Sequence, residues 1–166
     1  MKNLRALFVS SAVLVLVLAA GTAFAAAPKK PKTVAFKGVY AGKVTEKVDG
    51  QNVTAIANGT GAGTAVGKGK LVGTVAATTA NPPCSPLTGT GSITGPKGNL
   101  KVSLLPTSRG CAASQDDQNN ITVSGDAKVT GGTLQFRKAK GTIHFSGSYD
   151  RTSGAFTAKL AGKLTY

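Results

Sequence analysis

The 166-residue chain has no tryptophan, a single histidine, two cysteines and only six acidic residues. This composition argues against a zinc site, which takes three or four closely spaced His, Cys or acidic ligands, and no C-x-x-C pair is present. No two acids have a spacing that favours general acid and base roles, and Gly-x-Ser-x-Gly is absent. His144 falls on the polar face of its segment without a spaced acidic partner. The sequence therefore displays no catalytic, metal or cofactor site, and it favours a non-catalytic protein.

Acidic charge is scarce, since 20 Lys and Arg oppose 6 Asp and Glu for a formal net charge of +14. Charged residues make up 16% of the chain and hydrophobic residues 41%, a balance that excludes both a disordered chain and a polytopic membrane protein. The length suits one domain. A single folded, soluble domain is expected.

The N-terminus has the pattern of a secretory signal peptide. Two basic residues precede an uncharged apolar run over residues 6–20, and an A-x-A pattern ends at Ala25. A membrane anchor is the competing interpretation, but the apolar core has about 15 residues where a spanning helix needs about 20. We expect a signal peptide over residues 1–25, a flexible basic lead-in over 26–33 and one domain over 34–166. The mature protein is then extracellular or located in the cell envelope.

Cys84 and Cys111 are the only cysteines, and both lie in stretches rich in Pro, Ser or Gly. In an exported chain such a pair predicts an intramolecular disulfide. The bond would connect two loops that are 27 positions apart. Restriction of the unfolded chain would then stabilise the fold by about 3 to 4 kcal/mol.

Apolar and polar residues alternate over most of the domain, which is the period of a β-strand. Turn sequences such as Asp49-Gly50 and Gly131-Gly132 separate these segments, and no segment after residue 26 has a sustained helical period. The chain is therefore predicted to be all-β and antiparallel with about eight strands. Both a small barrel and a two-sheet β-sandwich fit this pattern.

Glycine occupies apolar-face positions in several predicted strands, where a packing side chain is expected. These glycines are Gly42, Gly73, Gly125, Gly147 and Gly162. A glycine inside a strand weakens it, so we expect sharp curvature or close backbone approach, as in a sheet that closes on itself. The pattern favours a barrel. The Gly-rich stretch 58–70 fits either a flexible strand or a loop.

The segment Val129–Gly141 reads VTGGTLQFRKAKG. It resembles the Gly-Gly-Thr-Gly-x-Phe-x-x-Ala-x-Gly hairpin of plant dirigent proteins and allene oxide cyclases, with Leu134 in place of the third glycine. The resemblance implies an eight-stranded antiparallel barrel and a homotrimer, while a monomer remains the alternative. The motif shapes a tight hairpin and carries no chemistry, so it transfers no catalytic residue to this chain.

Lysines dominate the polar faces of the predicted strands, and Arg137, Lys138 and Lys140 form the densest basic cluster. Such a surface attracts polyanions or anionic membranes. Nucleic acid is not expected as a partner, because export separates the protein from it and the aromatic residues fall on apolar faces. The leading hypothesis is a secreted, non-catalytic barrel whose lysine-rich surface binds anionic polymers or lipid headgroups.

A second hypothesis is a barrel that encloses a small apolar ligand, with dirigent-like or cyclase-like activity implied by the resemblance alone. Tyr40, Tyr149 and Tyr166 fall on apolar faces and would direct their phenol groups inward, toward a ligand or into the core. A purely structural surface protein is the third alternative.

Overall fold

The computed structural model describes residues 30–79, 83–114 and 116–166. The predicted signal peptide and residues 26–29 of the lead-in lie outside these residues. The described chain forms ten strands and one short 3-10 helix, Leu134–Phe136, and no α-helix. The strands are β1 (Thr33–Asp49), β2 (Asn52–Gly63), β3 (Gly67–Thr78), β4 (Cys84–Pro86), β5 (Thr88–Gly95), β6 (Gly98–Leu104), β7 (Arg109–Ala112), β8 (Asn120–Gly132), β9 (Lys140–Asp150) and β10 (Ala155–Thr165).

Eight of the strands form a closed antiparallel barrel. The hydrogen-bonded order is β8-β6-β5-β3-β2-β1-β10-β9, and β9 pairs in turn with β8 over Asn120–Val129. Because each of these strands has a partner on both sides, the sheet is one ring and not two stacked layers. The all-β barrel prediction is confirmed, and the β-sandwich alternative is excluded.

The two remaining strands complete the barrel wall between β3 and β8. β6 pairs with the second half of β8, from Ala127 to Gly132, whereas β7 pairs with its first half, from Ile121 to Ser124. β4 pairs with β7, and the Ser85 hydroxyl of β4 donates a hydrogen bond to the Thr78 carbonyl of β3. The wall is therefore built by β5 and β6 at one end and by β4 and β7 at the other.

The predicted disulfide is present and lies within this wall. Cys84 and Cys111 face each other as a cross-strand pair of β4 and β7 and are bonded. The sequence placed both cysteines in loops. They lie in strands because the first half of β8 is not paired with β6 and pairs with β7 instead. β7 in turn pairs with the three residues of β4.

The interior of the barrel differs between its two ends. The closed end comprises the chain start at residues 30–32, the connections 64–66, 96–97 and 133–139, and Tyr166. Aromatic and branched side chains fill this half: Phe36, Tyr40, Phe136, Leu100, Val66 and Leu164 are fully buried there. The open end comprises the connections 50–51, 113–119 and 151–154, and the interior behind it is hollow.

The Gly-rich stretch 58–70 is part of the β2–β3 hairpin and not a loop, apart from the turn 64–66. Its glycines make room for aromatic rings. A β-carbon at Gly61 would lie 2.7 Å from Cδ1 of Tyr40, and one at Gly63 would lie 2.9 Å from the Phe36 ring. The rings therefore pack directly on the β2 backbone.

Close backbone approach explains four of the five glycines singled out in the sequence. A β-carbon at Gly42 would lie 2.1 Å from the Asn58 carbonyl oxygen, and Gly147 and Gly162 meet neighbouring carbonyls in the same way. Gly125 has a φ of 149° and lies against the Ser108 backbone. Gly73 differs, because the nearest atom to its β-carbon position is 3.7 Å away.

These two environments predict opposite effects of adding a methyl group. We expect Gly42→Ala to lower the free energy of unfolding by about 1 to 3 kcal/mol, because the carbonyl of Asn58 must move. Gly73→Ala should leave it unchanged or raise it by about 0.5 kcal/mol, since alanine restricts the unfolded chain. Urea denaturation of both variants checks this. Equal losses would contradict close approach at Gly42.

The disulfide should stabilise one part of the barrel more than the rest. The double variant Cys84→Ala/Cys111→Ala is expected to lose about 3 kcal/mol of unfolding free energy. Amide hydrogen exchange should accelerate most in β4 and β7, since β4 has only three residues and no longer has a covalent partner. Exchange in the β2–β3 hairpin serves as the internal control. Uniform acceleration across both regions would show that the bond does not act locally.

Candidate functional site

The hollow half of the barrel encloses a cavity of about 300 Å³ that opens at the open end. It exists because the inward positions of β2 and β3 carry small side chains there: Ala55, Ala57, Gly73, Val75 and Ala77. In the closed half, aromatic rings from facing strands fill the corresponding part of the interior. The size of the inward residues therefore decides which half is packed.

The floor and walls of the cavity are apolar. Ile93, Ile143 and Leu160 line its inner end and also belong to the buried core, so they separate the cavity from the packed half. Phe145 and Phe156 contribute aromatic surface to its wall. A molecule held here would contact hydrocarbon on most of its surface.

A charged pair and a phenol lie at the mouth, where the polar residues Thr79, Ser114 and Gln118 also line the cavity. Glu46 lies near the end of β1, Tyr149 near the end of β9, and Arg151 directly after β9. Nε of Arg151 is 3.3 Å from Oε2 of Glu46, and Nη1 of Arg151 donates to the Gln118 carbonyl at 3.4 Å. The Glu46 carboxylate also interacts with the Tyr149 phenol. The mouth therefore holds an anion that lies between a cation and a phenol.

Burial raises the pKa of the Tyr149 phenol, and the negative charge of Glu46 raises it further, while the charge of Arg151 opposes this effect. The phenol therefore stays protonated at neutral pH and remains a hydrogen-bond donor. Nε of Arg151 is buried and completes no hydrogen bond, although it contacts Glu46. Both groups lie at the rim of an apolar cavity.

The three predicted tyrosines do not converge on one place. Tyr149 lines the cavity. Tyr40 is fully buried in the closed half, where its hydroxyl has no hydrogen-bond partner among the described residues and burial raises its pKa. Tyr166 packs edge-on against Phe136, with ring centroids 4.9 Å apart. Two of the three therefore contribute to the packed end.

The basic cluster lies at the opposite end from the cavity mouth. Arg137, Lys138 and Lys140 are exposed and follow the short helix of the β8–β9 connection. Of the three tyrosines, Tyr149 alone is separated from this cluster by the length of the barrel, since Tyr40 and Tyr166 lie in the closed half.

Sequence reasoning missed Glu46 and Arg151. They are far apart in the chain, and only the path β1–β10–β9 around the barrel brings them together. The sequence did contain one signal for Glu46. It lies an even number of residues from Phe36, Tyr40 and Val44 and therefore faces the same, inward side of β1. An acid at an apolar-face position indicates a polar function or a buried partner.

His144 is exposed, as expected for a surface residue, and the fold gives it an acidic partner. The β8–β9 register places Asp126 opposite His144, with 3.3 Å between Nδ1 and Oδ1, and Thr107 donates to the other carboxylate oxygen. Sequence spacing could not reveal a cross-strand pair. The group lies on the outer wall, where such pairs contribute little to stability.

Within the described residues, no group of three or more His, Cys, Asp or Glu side chains could hold a metal ion. No helix in this part of the chain is long and apolar enough to cross a membrane. The chain matches no protein-family model, no curated protein and no solved structure.

The raised phenol pKa values predict a loss of stability in alkali. Tyr40 and Tyr149 have folded-state pKa values above the ordinary 10.0, so above this pH the unfolded chain has released protons that the folded chain retains. The free energy of unfolding should therefore fall as pH rises beyond about 10. Tyr149→Phe should make this fall shallower in urea titrations across that range. An unchanged pH dependence would contradict the burial of this phenol.

Proposed function

We propose that the protein binds a small apolar molecule inside the open half of its barrel. The observation that carries the proposal is the cavity of about 300 Å³ enclosed by Ala, Val, Leu, Ile and Phe side chains. Protein interiors are normally packed with few voids larger than a water molecule. A volume of this size lies at the lower end of the range for small-molecule sites, roughly 300 to 1,000 Å³.

The ligand should carry one polar group at the end that faces solvent. The charged pair of Glu46 and Arg151 and the phenol of Tyr149 make the mouth polar, whereas the inner lining offers hydrocarbon. A few polar groups placed around an apolar pocket orient a ligand more than they hold it. This supports binding and transport or storage more than chemistry, because Glu46, the one acid among the described residues that line the cavity, already interacts with Arg151 and Tyr149.

We also propose that the protein acts outside the cytoplasm, after removal of residues 1–25. The disulfide is compatible with an extracellular or envelope location. The assembly state, monomer or homotrimer, stays a prediction.

Filling the cavity should abolish binding. We expect Ala57→Leu to weaken the binding of anilinonaphthalene sulfonate, an aromatic probe with one anionic group, by about tenfold or more, because leucine occupies the space of the ligand. Ala62→Leu is the matched control, since Ala62 lies on the same strand but faces solvent. Fluorescence titration measures both, and thermal denaturation confirms that both fold.

Native mass spectrometry of protein exported from a secretory host tests the same proposal without a probe. A retained adduct of small mass that leaves on denaturation is the expected result. A bare chain that also fails to bind the probe, or equal probe binding by the two leucine variants, would overturn the proposal.

A further inference from the structure

Basic charge is concentrated at the closed end of the barrel. The exposed cations at this end include Lys32, Lys68, Lys97, Arg137, Lys138 and Lys140. No acidic residue lies at this end. Five of the six acids of the chain, namely Glu46, Asp49, Asp116, Asp117 and Asp150, lie at or near the open end, and Asp126 lies midway along β8. The charge is therefore segregated along the barrel axis.

An exposed leucine lies in the middle of this basic surface. Leu134 is 68% exposed, more than any other large hydrophobic residue described. A β-carbon on Gly98, in the neighbouring β5–β6 hairpin, would lie 3.2 Å from Cβ of Leu134. Exposed cations occur in both connections, because Lys97 directly precedes Gly98 and Arg137 and Lys138 follow the short helix.

The backbone holds Leu134 in an unfavourable conformation. Its φ of 51° is the only positive value among the non-glycine residues described. The turn is fixed on both sides, because Thr133 exchanges hydrogen bonds with Asn99 and Phe136 is fully buried. A leucine here costs conformational energy and exposes hydrocarbon, while glycine or asparagine would avoid both costs.

We propose that the closed end docks on a membrane surface rich in anionic lipids, with Leu134 inserted among the acyl chains and the surrounding cations on the headgroups. A soluble polyanion satisfies the cations but offers no hydrocarbon to Leu134, so the leucine favours a lipid surface.

Docking in this orientation points the cavity mouth away from the membrane. The acids around the mouth would be repelled by the same lipids that attract the closed end. The interaction uses no residue of the cavity, so it stands or fails independently of the proposed ligand.

The first experiment separates position from net charge. The full chain from a secretory host is mixed with phosphatidylcholine vesicles with and without phosphatidylglycerol, and binding is measured by flotation. We expect Arg137→Gln/Lys138→Gln/Lys140→Gln to bind the anionic vesicles on the order of 100-fold more weakly than the unmodified chain. The control Lys101→Gln/Lys128→Gln/Lys159→Gln removes the same charge from the outer wall and should lose only a few-fold.

The second experiment tests the leucine. Leu134→Asn should weaken vesicle binding by about tenfold without loss of thermal stability, since asparagine tolerates a positive φ. Val39→Asn is the matched control, because Val39 is 61% exposed on the barrel wall.

The chain lacks tryptophan, so Leu134→Trp and Val39→Trp each provide a single fluorescent reporter. Only the reporter at position 134 should shift its emission to the blue on anionic vesicles.

Three results would overturn the proposal. The first is no binding of the unmodified chain to anionic vesicles, and the second is an equal loss in the two triple variants. The third is unchanged vesicle binding by Leu134→Asn together with tight, salt-dependent binding of soluble polyphosphate, which would assign the basic end to a polyanion. Probe binding in the cavity should be unaffected by all of these substitutions, and this readout confirms that the barrel is intact.

Discussion

Closure of the sheet between β8 and β9 is the constraint on which the rest of the structure depends. The antiparallel pairing from Asn120–Asp150 to Val129–Gly141 turns a meander of strands into a ring with a separate interior. Such tight closure brings inward positions onto neighbouring carbonyl groups, as at Gly42 and Gly147. A side chain at these positions would prevent the approach, which is why glycine recurs on the inward face.

Within that ring, the size of inward side chains divides the barrel into a packed half and a hollow half. Phe36, Tyr40 and Phe136 fill one end, while Ala55 and Ala57 leave space at the other. The packed half supplies the hydrophobic stabilisation that lets the protein tolerate an unfilled cavity. The disulfide reinforces the wall on the hollow side, where the two shortest strands form part of it.

The two functional proposals rest on opposite ends of the same axis. The open end carries five of the six acids, and its cavity mouth holds the contact of Glu46 with Arg151, whereas the closed end is basic and presents Leu134. In a barrel of antiparallel strands, successive connections lie at opposite ends. The residues of these connections can therefore give each end a different charge. Ligand capture and surface attachment can thus be selected separately.

Period-two alternation and turn residues predicted an antiparallel all-β domain, and the inward glycines favoured a barrel over a β-sandwich, because these signals are local and each strand repeats them. Pairing of Cys84 with Cys111 followed from their being the only two cysteines. The contact between Glu46 and Arg151, the partner of His144 and the division into packed and hollow halves depended on register and on which strands face each other. Those are long-range properties that emerge only when the ring closes, since no local pattern records which side chain lies opposite another.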